Sequence, residues 1–209
     1  MRAAISLANS HERIEVQQFW YRIYVAEMKR HAQDPLTDHK TRTLGDPLID
    51  SGNLFVARDE KMQIVATLMT TVAADADLGK YEALYGLEQL NAGQRQRTSI
   101  TTKLMVEPSY RRTRLPMLMA RATYEHALLL GVERDFIDCN DHLVSFFMRL
   151  GYRQHLGRVE HKDYGNVNSM VLHLQDALHL KALSSPFYRS FSNLHTNTLA
   201  DQEQAHVAA

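Results

Sequence analysis

The fold of this chain is decided by a short stretch between residues 103 and 116, KLMVEPSYRRTRLP. Residues 98–106, TSITTKLMV, are β-branched and apolar, which predicts a strand that ends before Pro108. Pro116 stands where a helix can begin, because proline is tolerated at the first helical position, and Gly131 predicts where that helix ends. The stretch is therefore a strand–turn–helix junction.

The turn of this junction carries three arginines, Arg111, Arg112 and Arg114. At the start of a helix several backbone N–H groups are free, and the positive end of the helix dipole is exposed. Together with the guanidinium groups they make the turn a candidate anion site suited to phosphate groups. Three solvated arginines in an ordinary turn give the same pattern, and spacing alone favours neither interpretation.

Outward from the junction, the chain alternates between helical and strand patterns. Apolar residues at near-helical spacing predict a helix from Glu12 to about His31, and a loop follows up to Asn53. Strands are predicted as a hairpin at 53–58 and 64–73, then at 136–139, and as closing strands at 152–155 and 169–174. Helices are predicted as a short insertion between 75 and 93 and at 141–150. This order predicts a mixed α/β domain.

Composition narrows the function classes. The chain has 209 residues with 24 Lys and Arg against 24 Asp and Glu, which predicts one domain and argues against bulk attraction to nucleic acid. We expect the domain to span residues 1–194 and the polar, Ala-rich residues 195–209 to form a flexible tail. No apolar run is long enough to span a membrane and no signal peptide is evident, which predicts a cytoplasmic protein.

Cysteine and histidine usage argues against a metal or disulfide protein. The single cysteine, Cys139, excludes an intrachain disulfide framework and any multi-cysteine metal site. A lone strand cysteine is most often a small buried hydrophobe, so we expect burial rather than nucleophilic chemistry. The histidines include no pair with metal-ligand spacing, and we therefore expect no metal site.

Two motifs resemble those of the GNAT acyltransferase superfamily. The first is V-x-P-x-Y-R-(x)4-P, which begins at Val106. The second is FIDCN at residues 136–140, followed by a helix that ends in L-G-Y at residues 150–152. The resemblance implies an α/β fold with a mixed sheet, in which two central strands splay apart and helices flank the sheet.

The resemblance also implies how an acyl thioester binds. Its pantetheine arm would enter the slot between the splayed strands, and its phosphates would rest on the turn. The residues implied for donor binding are Leu104, Met105, Val106, Arg111, Arg112, Thr113, Arg114, Leu115 and Pro116. An amine would attack the thioester carbonyl while a backbone N–H of the splayed strand meets the developing oxyanion, with no permanently bound cofactor.

The sequence departs from the superfamily pattern in ways that affect the site. Arg114 and Pro116 replace the glycines of the usual phosphate turn, which hinders close contact of the backbone with a pyrophosphate. Phe147 replaces the tyrosine that often serves as general acid, and Tyr152 is the nearest phenol, either as the acid or as a packed aromatic. Asn140 either faces the pantetheine or caps the next helix. Asn140 and Tyr152 are therefore the candidate catalytic residues.

Further segments resemble the acyl-homoserine-lactone synthases and the related N-acyl amino acid synthases. Arg22 leads a segment on the first predicted helix, Asp46 and Asp50 lie in the loop before the first long strand, and Lys103 stands near a strand end. The resemblance implies that Arg22, Asp46 and Asp50 bind the acceptor, although both aspartates could be turn formers alone. The strand glutamate of these synthases falls near Ile100, so the chain lacks that base.

We therefore expect an N-acyltransferase that moves a fatty acyl group from an acyl-carrier-protein or acyl-CoA thioester to a primary amine. The acceptor would be an amino acid, a small amine, or a lysine-like or ornithine-like side chain of a peptide. The basic turn and its missing glycines favour acyl carrier protein as the partner. Two alternatives stay open: an acetyl-CoA-dependent N-acetyltransferase, and a non-catalytic protein of this fold that binds an acyl thioester or a partner.

Overall fold

A seven-stranded mixed sheet forms the centre of the computed structural model, which describes residues 3–161 and 165–194. In chain order the strands are β1 (Ala4–Leu7), β2 (Thr37–Asp38), β3 (Thr43–Leu44), β4 (Asn53–Arg58), β5 (Ile64–Val72), β6 (Thr98–Val106), β7 (Arg134–Cys139), β8 (Arg153–His161) and β9 (Gly165–His173). The sheet order is β1-β4-β5-β6-β7-β9-β8, and β2 and β3 form a separate hairpin. The predicted tail at 195–209 lies outside the described residues.

Helices cover both faces of this sheet. They are α1 (Arg13–Trp20), which continues as a π-helix (Tyr21–Glu27), α2 (Lys80–Tyr85), α3 (Ala92–Gln96), α4 (Leu115–Leu129), α5 (Asp141–Leu150), α6 (Ala177–Ala182) and α7 (186–194). One buried cluster joins α4, α5 and α6 to one face of the sheet, here called the α4 face. A second cluster joins α1 and α2 to the opposite face, here called the α1 face. None of the described helices is long and apolar enough to cross a bilayer.

The two central strands separate, as the resemblance implies. Strands β6 and β7 run parallel, whereas the other neighbouring strands of the sheet are antiparallel. The β6–β7 ladder ends at the pair Ile100–Phe136, although β6 continues to Val106 and β7 to Cys139. Beyond that pair the facing edges have no sheet partner among the described residues, and a slot opens between them. The predicted mixed α/β fold with splayed central strands is confirmed.

The edges of the sheet differ from the prediction. The sequence patterns predict neither β1, nor the β2–β3 hairpin, nor the two helices after β9. The closing strands are longer than predicted, since β8 runs to His161 and β9 begins at Gly165. Most residues of β8 are exposed because it is an edge strand, and its sequence RQHLGRVEH therefore lacks the apolar alternation that reveals a strand's length.

A substitution at Gly151, which ends α5, tests the packing of the α4 face. Its φ is +118°, and a Cβ atom there would lie 2.5 Å from Cδ2 of the buried Leu180. We expect Gly151→Ala to lower the free energy of unfolding by ~2–3 kcal/mol, because the alanine combines an unfavourable φ with a clash. Urea denaturation measures this loss.

Gly131→Ala is the matched control, since Gly131 also has a positive φ of +74° but no atom within 4 Å of the added Cβ. It should lose clearly less stability than Gly151→Ala. Equal losses would show that contact with Leu180 contributes nothing.

Candidate active site

A cavity of about 940 Å³ fills the slot between β6 and β7. Its apolar side, toward α4 and α5, is lined by Leu68, Leu104, Met117, Ile137, Leu143, Phe146 and Phe147. Its polar side, toward α1 and α2, is lined by Tyr24, Tyr81, Thr102, Lys103 and Asp138. Because one cavity reaches both faces of the sheet, two substrates can meet in it. Within residues 3–161 and 165–194, no group of His, Cys, Asp and Glu is placed to hold a metal ion.

A β-bulge shapes the wall of the cavity in the middle of β6. The register with β5 shifts so that Lys103 and Leu104 both lie opposite Leu68. Lys103 has φ +60°, a conformation that costs a non-glycine residue free energy. A hydrogen-bond chain holds it there: the Trp20 indole N–H donates to the Thr67 hydroxyl (3.0 Å), which donates to the Lys103 carbonyl (3.1 Å). The first helix therefore fixes the backbone of β6 at the cavity.

The side chain of Lys103 forms a buried ion pair at the polar side of the cavity. Its Nζ lies 2.7 Å from Asp46 Oδ2, and the two side chains are only 10% and 5% exposed. Nζ also lies 5.5 Å from the ring centroids of Trp20 and Tyr24. Burial by itself would lower the pKa of Lys103, but the charge of Asp46 and the neighbouring tyrosines more than offset it, so that pKa lies above its ordinary value. Lys103 therefore presents a permanent cation to the cavity.

The other two predicted acceptor residues lie outside the cavity. Asp50 is exposed and forms an ion pair with Arg13. Arg22 donates to Glu107 (2.8 Å) and lines a separate surface groove on the outer side of the first helix. Of the three, the structure brings only Asp46 to the cavity, and it does so through Lys103.

The predicted phosphate turn lies at the mouth of the cavity. Its cavity-lining residues are Arg111, Arg112, Thr113, Arg114 and Pro116. Arg111 is engaged, since its Nε donates to the Val106 carbonyl (2.9 Å) and its guanidinium pairs with Glu27 (2.6 Å). Arg112 and Arg114 are exposed, and no residue in the described part of the chain forms an ion pair with either. Two of the three arginines can therefore meet an anion.

The remaining residues implied for donor binding divide between the cavity wall and the core. Leu104, Met105 and Val106 line the cavity along the open edge of β6. Leu115 is buried beneath the turn, and its backbone N–H donates to the Thr113 hydroxyl (3.1 Å). The open strand edge and the turn thus form one continuous path into the slot.

Comparison with known proteins identifies the family of this chain. The family model of the N-acyl amino acid synthase FeeM matches residues 15–175 of the 209. The chain belongs to the FeeM family of N-acyl amino acid synthases. This FeeM-family chain is therefore an N-acyltransferase, and the predicted resemblance is confirmed. No curated protein sequence matches it.

Solved structures share the fold of this FeeM-family chain. TofI, in a ternary complex with an inhibitor and MTA, has a TM-score of 0.67 and 16% identity, with 88% of this chain and 97% of TofI covered. The CoA-dependent acyl-homoserine lactone synthase MesI has a TM-score of 0.62 and 15% identity, with 87% and 95% covered. A GNAT-family acetyltransferase from Staphylococcus aureus Mu50 has a TM-score of 0.55 and 14% identity, with 83% and 100% covered. At these identities the similarity shows the GNAT fold.

Asn140 and Cys139 lie where β7 of the FeeM-family chain meets α5, and both line the cavity. Asn140 precedes the helix, but its side chain makes no capping hydrogen bond. This geometry favours a cavity-facing side chain over a cap, and the catalytic role of Asn140 stays a prediction. Cys139 is buried, as expected, and burial raises the pKa of its thiol to about 12, so the thiol is not a nucleophile at neutral pH.

Tyr152 is buried away from the cavity. Its hydroxyl donates to Asp135 Oδ2 (2.5 Å), and Asp135 Oδ1 also accepts from the hydroxyls of Ser99 (2.5 Å) and Thr101 (2.9 Å). Burial raises the pKa of Asp135 to about 6, although the three hydroxyl donors oppose the rise. These contacts favour the packed-aromatic interpretation of Tyr152, whose catalytic role stays a prediction.

The sequence patterns missed the two aspartates of β7. Successive strand residues face opposite sides, so in RDFIDC, residues 134–139, Asp135 faces the α4 face and Asp138 faces the α1 face. The signal that could have found them is a carboxylate inside an otherwise buried strand, because such a group is rarely buried without a partner.

The variant Asp135→Asn tests how the burial of this carboxyl group affects the pH dependence of stability. Because folding raises the pKa of Asp135 from 3.8 to about 6, the folded chain binds a proton that the unfolded chain has released in this range. The stabilisation from the protonated carboxyl is therefore complete below about pH 4 and is lost as the pH rises through about 6. We expect the free energy of unfolding of the unmodified protein, relative to Asp135→Asn, to fall by ~3 kcal/mol between about pH 4 and pH 7.

Urea denaturation at several pH values measures this difference. Asp75→Asn, which removes an exposed carboxyl group, shows how much of the change any surface aspartate produces. Parallel pH curves for the unmodified protein and Asp135→Asn would contradict the raised pKa.

Proposed function

We propose that this chain transfers a fatty acyl group from the phosphopantetheine arm of an acyl carrier protein to the amino group of a free amino acid. The observation that carries the proposal is the two-sided cavity, apolar toward α4 and α5 and charged toward α1 and α2. A thioester in the slot can extend its acyl chain to one side and meet an amine on the other. The family name supports an amino acid as the acceptor.

The size and chemistry of the apolar side support a long acyl chain. The cavity volume of about 940 Å³ lies near the upper end of the ~300–1,000 Å³ typical of small-molecule sites, so an acetyl group would leave most of it empty. Met117, Phe146 and Phe147 provide apolar contacts, and a flexible methionine adapts to a bending chain. Each buried CH₂ contributes ~0.8 kcal/mol, so a long chain would supply much of the donor's affinity.

The mouth of the cavity supports a carrier-protein donor. Arg112 and Arg114 project from the turn, and Pro116 has no N–H to offer a pyrophosphate. A carrier protein is acidic and its arm carries a single phosphate, so exposed arginines suit it better than a backbone cradle does. Such charges act chiefly by steering and orienting the partner. MesI and BjaI are described as CoA-dependent synthases, which makes acyl-CoA the alternative donor to test.

The ion pair at the polar side supports an acceptor that carries a carboxylate. The ammonium group of Lys103 has three N–H donors, and one engages Asp46. The other two can bind the carboxylate of an amino acid, beside the rings of Trp20 and Tyr24 that shield the pair from water. The ammonium group of the acceptor would then point into the slot.

The reaction needs alignment more than activation, because a thioester is already reactive. The acceptor nitrogen attacks the carbonyl carbon, the C–S bond breaks, and the arm leaves as a thiol. Backbone N–H groups on the open edge of β6 would stabilise the oxyanion, and Trp20 and Thr67 hold that edge in place. Positioning alone can lower such a barrier by ~7–11 kcal/mol. We place this reaction in the cytoplasm.

The proposal is tested by comparing two donors that carry the same acyl chain, one on carrier protein and one on coenzyme A. Each donor is assayed with a panel of free amino acids. Thiol release measures the rate, and mass spectrometry identifies the N-acyl product. We expect an N-acyl amino acid, formed faster from the carrier-protein donor and not from acetyl donors. Equal rates from coenzyme A would contradict the carrier-protein donor, and no product with any amino acid or amine would contradict the function.

Asp46→Asn tests the acceptor side. Without the negative charge of Asp46, burial lowers the pKa of Lys103 and disfavours its charged form. Lys103 should then bind the acceptor's carboxylate more weakly. We expect KM for the amino acid to rise roughly tenfold while KM for the donor stays unchanged. The decarboxylated form of the same amino acid should show no such rise.

Asp50→Asn is the control for this variant, because Asp50 lies in the same loop but pairs with Arg13 away from the cavity. It should leave both KM values unchanged. A rise in the amino acid's KM for Asp50→Asn as large as that for Asp46→Asn would sink the assignment of Lys103 as the carboxylate site.

Arg112→Glu/Arg114→Glu tests the donor side. Reversing two exposed charges at the mouth should lower kcat/KM for the acylated carrier protein at least about tenfold, because the partner is no longer steered. The rate of the unmodified protein should fall as salt rises, since salt screens surface charges. An acyl-pantetheine donor should respond far less to both changes.

Lys40→Glu/Lys61→Glu is the control, with the same charge change on exposed residues that do not line the cavity. It should leave the carrier-protein rate nearly unchanged. An unimpaired rate in the arginine variant, or an equal loss in the lysine variant, would argue against docking at the turn.

A further inference from the structure

The proposed transfer requires a base near the slot. A free amino acid is an ammonium ion at neutral pH, and it has no lone pair with which to attack a carbonyl. Ile100 occupies the strand position at which the related synthases are expected to carry a glutamate. The base must therefore come from another element.

A carboxylate lies across the slot from β6, on the neighbouring strand. Ile100 and Phe136 form the last β6–β7 pair, and both side chains pack on the α1 face. Two residues further along each strand, Thr102 and Asp138 share that face and line the cavity where the strands begin to separate. The geometry brings these two polar side chains to the narrow end of the slot.

The carboxylate of Asp138 is held in place, and the hydroxyl of Thr102 is available to a ligand. Asp138 is half-buried, and the hydroxyl of the fully buried Tyr85 donates to its Oδ1 (2.7 Å). The Thr102 hydroxyl oxygen is buried and has no hydrogen-bond partner among the residues that the structure describes. A buried hydroxyl without a partner costs free energy, which a bound polar group would recover.

We infer that Asp138 is the general base of the transfer, with Tyr85 as its positioning residue and Thr102 as a hydrogen-bond partner of the acceptor nitrogen. The inference rests on the proposed function. One ammonium N–H bond breaks, its proton goes to the Asp138 carboxylate, and the freed lone pair forms the new C–N bond. As the tetrahedral intermediate collapses, the C–S bond breaks and the leaving sulfur takes the second proton from nitrogen. Asp138 then releases its proton to water.

Asp138 is the group on the α1 face that can accept the proton, because its neighbours are not available as bases. Tyr81, Tyr85 and Cys139 lie close enough to interact with the charge of Asp138, and Tyr81 also interacts with the Lys103–Asp46 pair. Burial raises the pKa values of both tyrosines and of the thiol, so these groups stay neutral. Asp46 and Lys103 are committed to each other. His155 packs on the Phe136 ring, and its Nε2 lies 3.0 Å from the Tyr85 carbonyl oxygen.

Two histidines are rival bases, because His142 and His161 also line the cavity. They belong to α5 and to the end of β8, outside the β6–β7 pair that frames the slot. Each can be replaced by glutamine, which keeps a polar side chain and removes the basic imidazole. The experiment below compares both with Asp138.

Asp138→Asn, assayed with the acyl-carrier-protein donor and the preferred amino acid, tests the inference. We expect kcat at pH 7 to fall by about 100-fold or more, the usual contribution of general base catalysis, with a smaller change in KM. The defect should shrink about tenfold per pH unit as the pH rises, because the amine then loses its proton in solution. A merely structural loss would not depend on pH in this way.

Tyr85→Phe gives a second readout that needs no loss of the carboxylate. The phenol holds the Asp138 carboxylate in place through its hydrogen bond to Oδ1 (2.7 Å), so its removal should lower kcat by about 3- to 10-fold while KM for both substrates stays unchanged. Thr102→Val, which replaces the hydroxyl with a methyl group, should lower kcat by about 3- to 10-fold and leave the pH dependence of kcat/KM unchanged.

Asp135→Asn is the matched control, since it removes a carboxylate from the same strand on the opposite face. It should keep the pH profile of the unmodified protein, as should His142→Gln and His161→Gln. A folded Asp138→Asn protein with normal kcat at pH 7 would overturn the base while leaving the proposed function intact. An acidic limb lost in either histidine variant would also overturn it, and an unmodified protein that acylates no amine would overturn both.

Discussion

The separation of β6 from β7 beyond Ile100 and Phe136 is the constraint on which the whole site depends. Two parallel strands that stop pairing leave backbone N–H and C=O groups without ladder partners, and a buried polar group needs a partner. An extended ligand such as a pantetheine arm can provide these hydrogen bonds. The fold thus leaves two facing strand edges open inside the cavity, where a substrate can complete them.

The alternation of side chains along the strands gives the slot two chemically different sides. Leu104 and Ile137 face helices α4 and α5, and their surroundings are apolar. Thr102 and Asp138 face α1 and α2, where Lys103 and Asp46 add a buried ion pair. A period of two residues in β6 and β7 is therefore enough to separate an apolar side from a charged side within a single cavity, as the proposed transfer requires.

The first helix connects these features to the mouth of the cavity. Its π-helical part carries Arg22 and Glu27, which pair with Glu107 and Arg111, two residues that follow the end of β6 at Val106. Such exposed ion pairs each contribute little to stability, but as a pair they join the helix to the turn. The resemblance implies that Arg22 binds the acceptor, whereas in this structure Arg22 pairs with Glu107 and joins the first helix to the residues after β6.

Sequence by itself determined the central part of the fold, because strands and helices are encoded by local periodicity and by local start and stop residues. The β6–turn–α4 junction, the β7–α5 junction and the burial of Cys139 all follow from residues within a few positions of each other. The full length of edge strands such as β8 was not predicted, since their exposed residues carry no such pattern.

Only the tertiary structure decided which polar groups meet. Asp46 reaches Lys103 and Tyr85 reaches Asp138 across more than fifty residues of sequence, and Asp50, four residues after Asp46, points to Arg13 instead. Spacing along the chain contains no information about such contacts, because they depend on how α1, α2 and the β3–β4 loop pack against the sheet.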